Sequence, residues 1–161
     1  MKTTQEKAKE KVHKDLINNL QELLEKNYDA EKGFKKAMED ADSQRLKEYL
    51  KYKSAQHSQF ATELTDEIHR LDEQPKEKGS TTGDLHRTWI DIKTAFTGND
   101  DEAVLEECIR GEKASLEEYQ ERLGKHNFPP KVAETLTKQK SEIERTVSKV
   151  KRLEDLADDW N

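Results

Sequence analysis

From residue 12 to residue 41 the apolar side chains recur three and four positions apart. Val12, Leu16, Leu20, Leu23, Ala30, Phe34, Ala37 and Ala41 make the series, and polar Asn27 occupies one of its steps. That spacing gathers them on one face of an α-helix. The pattern predicts a first helix of roughly 35 residues, opened by Thr3 or Thr4 as its cap. The charged residues before Val12 extend it past the other helices or fray. Gly33 lies beside the stripe, where a missing side chain lets a neighbouring helix approach.

The stretch "DADSQRL" offers Asp42 or Ser43 as the next N-cap. The second inward face reads Leu46, Leu50, Lys53, His57, Phe60, Leu64, Ile68 and Leu71. "DEQPKEKGSTTG" then brings Pro75, Gly79 and Gly83 and lacks any apolar side chain, which predicts a long crossover around residues 72–83. Helical spacing resumes with Leu85, Trp89, Ile92 and Phe96. Gly98 interrupts it, and Asn99 or Asp100 caps a continuation through Leu105, Cys108, Ile109, Glu112, Leu116, Tyr119 and Leu123. A third helix with a kink results. After "GKHNFPP", where Pro129 and Pro130 suit a helix start, the last stripe is Val132, Leu136, Gln139, Ile143, Thr146, Val150, Leu153 and Ala157, ending near Trp160. Trp160 either covers a bundle end or marks a subunit contact. Strand alternation and internal repeats are absent. The expected fold is all-α, an up-down antiparallel four-helix bundle with a long crossover, formed by residues 1–161 as a single domain.

Composition alone points elsewhere. Charged residues make up 40% and hydrophobic ones 31%, close to the balance of disordered chains. The periodicity decides for long helices with narrow buried stripes and solvated outer faces. The net charge of -6 is spread through interleaved signs, and no basic block suggests a nucleic-acid surface. No apolar run approaches the roughly 20 residues that cross a bilayer, and the first residues carry no secretory leader. A cytoplasmic protein is expected. With Cys108 as the sole cysteine, neither an internal disulfide framework nor a cysteine-rich zinc site can form. On the inward stripe Cys108 behaves as a small hydrophobe.

Every stripe carries a polar residue near mid-length: Asn27, Lys53 with His57, Glu112, and Gln139 with Glu142 beside it. Such groups cannot enter a core unless they pair, hydrate or bind something. The expectation is a central polar layer of Asn27, Lys53, His57, Glu112, Gln139 and Glu142. In it the Lys53 ammonium reaches Glu112, and Asn27 and Gln139 complete the hydrogen bonds. Gly111, costly inside a helix, then admits a neighbour beside the layer while Glu112 points inward. His86 and Trp89 share a face and pack the crossover against the bundle. His13, His69 and His126 are expected at the surface. No nucleophile–histidine–carboxylate grouping or phosphate-cradling glycine loop appears.

From about residue 14 to 157 the chain resembles a bacterial ferritin-like family of four-helix-bundle domains of unknown function, DUF2383. The resemblance is carried by "DAEKGFKKAMEDA", "AQHSQFATEL", "LHRTWIDIKTAFTGNDDEAVLEECIRGEKASLEEY" and "VKRLEDLADDW". It implies a ferritin-like fold and brings no established activity. In the wider ferritin-like pattern a first-helix Glu stands seven residues before an aromatic. Here that position, counted from Phe34, is Asn27. The same spacing on the third helix joins Glu112 to Tyr119. The Glu-x-x-His slots are filled by Lys53 and Gln56 before Phe60, and by Gln139 and Glu142 on the last helix. This implies a degenerate metal centre, with no cofactor and no catalytic residue. The implied role is a non-enzymatic scaffold or interaction protein, with a tie to stress taken from the wider superfamily. The alternative is a di-metal protein or oxidase using iron or manganese, and a lone metal would use Glu112, Glu142 and His57. A homodimer through the long helices fits either reading, with no nucleic-acid or membrane partner.

Overall fold

The computed structural model describes residues 1–78, 100–157 and 160. Among them are four α-helices: α1 (Thr4–Asp40), α2 (Gln44–Arg70), α3 (Asp101–Lys125) and α4 (Pro130–Lys149), followed by a short 3-10 turn, Leu153–Ala157. No strand occurs among the described residues, and none of their helices is long and apolar enough to cross a membrane. The expected first half of the third helix, with His86 and Trp89, and the crossover beyond Lys78 lie outside the described residues.

Side-chain oxygens settle where three of the helices start. Thr3 closes a capping box, accepting from the Glu6 amide at 3.1 Å while the Glu6 carboxylate accepts from the Thr3 amide at 3.3 Å. Ser43 caps α2 by accepting from Leu46, and Asp100 caps α3 by accepting from Glu102. Each satisfies an amide that the first helical turn leaves without a partner. The fourth helix opens with Pro129 and Pro130, whose fixed φ suits the entry and whose missing N–H would have been unpaired there.

Cross-helix contacts give the directions. His57 meets Asn27 and Ser54 meets Glu31, so α2 runs antiparallel to α1. Arg122 binds both Asn19 and Glu22, while Asp101 at the other end of α3 meets the turn after α1. Thus α3 is also antiparallel to α1 and parallel to α2. Lys53 with Thr146 and Phe60 with Gln139 set α4 antiparallel to α2. The order is up, down, down, up, rather than a simple alternation. Asp101 makes the reason visible: its carboxylate accepts from the amides of Asp42 at 2.9 Å and Ser43 at 2.8 Å. α3 therefore starts at the α1–α2 turn, although α2 finishes at the opposite end.

Two expectations about ends fail. Val12 was placed on the buried stripe but is 66% exposed. With 37 residues against 27 in α2, α1 overhangs its partner by about 15 Å at 1.5 Å per residue, and Val12 falls in that overhang. The last helix stops at Lys149 instead of continuing toward Trp160. Val150 turns to extended backbone, and the Asp155 carboxylate draws in the amides of Lys151 and Arg152, an alternative to the helical ladder that Asp offers readily. Trp160 returns to the body edge-on against Tyr49 and Tyr52, with ring centres 5.0 and 5.1 Å away.

The buried apolar side chains of the described residues fall into two clusters. One, around Phe34, Leu46, Leu50 and Leu105, lies toward the α1–α2 turn. The other, around Leu20, Phe60, Leu136 and Ile143, lies toward the opposite end. Polar residues from all four helices fill the level between them.

Candidate functional site

At this level Asn27 (α1), Lys53 and His57 (α2), Glu112 (α3) and Gln139 (α4) are all buried. Each sits on its helix's apolar stripe, so packing of the hydrophobic neighbours carries the polar side chain inward with them. Lys53 and His57, four residues apart, share one face of α2. Lys53 Nζ lies 3.0 Å from Glu112 Oε2. It also donates to Gln56 Oε1 at 2.5 Å and Thr146 Oγ1 at 2.8 Å, which uses all three ammonium hydrogens. His57 Nε2 lies 2.9 and 3.2 Å from the two Glu112 oxygens. Phe34 stacks on the imidazole at 5.6 Å and Phe60 meets it edge-on at 5.5 Å.

The other side of the imidazole starts a chain of bonds. Asn27 Nδ2 donates to the Leu23 carbonyl and to the Tyr119 hydroxyl, which turns Asn27 Oδ1 toward His57 Nδ1 at 2.7 Å. An oxygen therefore faces each ring nitrogen. Tyr119 passes its hydroxyl hydrogen to Gln139 Oε1 at 2.6 Å. Gln139 Nε2 donates onward to Glu63 Oε1 at 2.9 Å and to the Phe60 carbonyl at 3.3 Å. The network runs from the wholly buried Lys53 to the half-buried Glu63.

Charge governs protonation here. Burial alone pushes the Glu112 carboxyl up, but the positive charges of His57 and Lys53 and the bonds they donate outweigh it and hold the group at about 2. Burial pushes the Tyr119 hydroxyl far above its ordinary range. The Cys108 thiol is raised likewise by burial, with the Glu112 charge adding to it. A buried thiol so resistant to ionisation is a packing group.

Of the residues singled out from the sequence, Glu142 stands apart. It is half-buried, one position before inward-facing Ile143. On α4 the place in the layer goes to Thr146, one helical turn beyond. Sequence reasoning placed Thr146 and Tyr119 on their stripes, Tyr119 also as the aromatic seven residues after Glu112, and assigned neither hydroxyl to the layer; the sign available was a hydroxyl at the depth of the other polar groups. Gly111 is buried beside inward-facing Glu112. His13, His69 and His126 are exposed.

As a holder of metal the set fits poorly. Two divalent ions in an oxygen and nitrogen shell call for several carboxylates, and among the described residues the centre of this level offers Glu112 alone, both of whose oxygens already take donors. Lys53 Nζ occupies the coordinating side of that carboxylate. Among the described residues no group of three His, Cys, Asp or Glu side chains is arranged to hold a metal ion.

An all-helical protein with a self-paired charged layer is the class this geometry defines. Residues 15–125 match the family described as a domain of unknown function (DUF2383), and the chain belongs to that family. No curated protein matches the sequence.

Proposed function

We propose that the protein is a ferritin-like four-helix bundle acting as a non-enzymatic scaffold or interaction protein, in which its own cation takes the place of metal. The observation that supports this reading is the Lys53 ammonium, 3.0 Å from Glu112 and also bound by Gln56 and Thr146. A metal on Glu112 would have to expel that ammonium into an apolar core. It would then find too few anionic ligands to replace the lost pairing.

Metal analysis of protein purified without a histidine tag tests the reading, together with ferrous-iron oxidation in air. The expected result is no stoichiometric metal and no oxidation above the buffer rate. Close to two iron or manganese atoms per chain, or catalysed oxidation abolished in Glu112→Gln, would overturn it.

A further inference from the structure

We propose that a second copy of this chain docks antiparallel along the overhang of α1, about a twofold axis at Val12. The inward stripe of α1 does not stop where its partner helices do. It continues back from Leu16 through Val12 to Ala8, at helical spacing, and Val12 is 66% exposed. Beside it a groove of about 520 Å³ opens between Val12, Asp15, Leu16 and Asn19 of α1 and the α3–α4 turn at Phe128 and Pro129. Leu16 and Phe128 form its floor, since both pack on the apolar cluster at this end.

The order of charges around Val12 selects the occupant and its direction. Lys9 precedes it by three residues and Asp15 follows it by three, so both flank its face. When two such helices cross antiparallel at Val12, Lys9 of each comes to the level of Asp15 of the other. Ala8 comes opposite Leu16, so a small side chain meets a large one. A parallel pairing would set Lys9 on Lys9 and Asp15 on Asp15. The groove lies where the first turns of the second copy's α1 must pass, and twofold symmetry repeats the contact. The seam is short, which places this among weak, concentration-dependent dimers. It does not rest on the reading of the central layer, which lies well inside the four helices.

Sedimentation equilibrium from the micromolar to the millimolar range, at low salt, reads the dimer directly. The wild type is expected to show a monomer–dimer equilibrium that weakens as salt is added. Lys9→Glu and Asp15→Lys should each weaken it at least tenfold, and the double variant should recover most of the loss. The two positions are six apart on one helix and so are not surface neighbours within it; recovery therefore reports contact between copies. Val12→Cys in a Cys108→Ser background should oxidise to a covalent dimer, with circular dichroism confirming folded helices. A wild type that stays monomeric throughout, or a double variant as weak as the singles, overturns the proposal.

Discussion

Lys53 and Glu112 form an ion pair at 3.0 Å with both side chains sealed from solvent, one on α2 and the other on α3. Removing one member strands the other charge in the core. Lys53→Met is expected to cost about 3–5 kcal/mol of unfolding free energy, measured by urea titration. Glu112→Gln should cost a comparable amount, since it leaves the buried Lys53 ammonium without its counter-charge. The double variant should lose less than the sum of the singles, the signature of a direct coupling.

The pH dependence follows from the depressed Glu112 carboxyl. Its value is about 2 in the folded protein against 4.5 ordinarily. Between those values the unfolded chain binds the proton and the folded chain does not. The contribution is therefore complete above the ordinary value and is lost as pH falls through the window toward 2. The total is on the order of 3 kcal/mol. Urea midpoints measured from neutral pH downward should show this decline, and Glu112→Gln should lack its share of the slope.

Tyr119→Phe keeps the ring and deletes one oxygen. Asn27 retains its bond to the Leu23 carbonyl, but Gln139 Oε1 loses the donor it has at 2.6 Å. A loss of about 1–3 kcal/mol is expected for an acceptor left buried and unsatisfied. Thermal unfolding followed by circular dichroism checks it.

Asp101→Ala releases two amides at the α1–α2 turn. The site is partly open to water, so the expected cost is smaller, about 1–2 kcal/mol. Hydrogen exchange should localise the change, with the amides of Asp42 and Ser43 exchanging faster and those of the central α2 segment unaffected.

Trp160→Ala separates packing within the chain from contact between chains. Because the indole meets Tyr49 and Tyr52 of the same chain, the variant should lose about 1–3 kcal/mol of stability and keep the wild-type sedimentation behaviour. A change in mass would move the subunit contact to this end.

Much of the helical framework was legible because each buried stripe is narrow and surrounded by charge, leaving the 3.6-residue period little competition. Caps at Thr3, Ser43 and Asp100 could be narrowed to two neighbours each, and local hydroxyl or carboxylate geometry chose between them. Depth along the stripes also brought out Asn27, Lys53, His57, Glu112 and Gln139, which the structure places at one level. The hydroxyls of Tyr119 and Thr146 escaped notice because a hydroxyl on an otherwise apolar frame satisfies a periodicity test as well as a methyl does. Glu142 was grouped with Gln139 by nearness in sequence, yet three residues move a side chain most of a turn along the helix axis. The relative direction of α2 and α3 could not be read at all, since a hydrophobic stripe is the same in both senses. The end of α4 was hidden because Leu153 and Ala157 keep helical spacing beyond Val150, although Asp155 redirects the backbone there.

The clasp of Asp101 on Asp42 and Ser43 has a bearing on how the chain reaches its final form. Helices α1 and α2 meet through a three-residue turn and can zip up locally, as can α3 with α4, whereas the clasp joins positions 59 and 58 residues apart. Association of the two hairpins is therefore the slow, non-local event. Until it happens Lys53 has no carboxylate and Glu112 no cation, so a docking slipped by one helical turn would trap both against hydrocarbon. The polar level thus acts as a gauge of register, rejecting misaligned assemblies that the apolar clusters alone would accept.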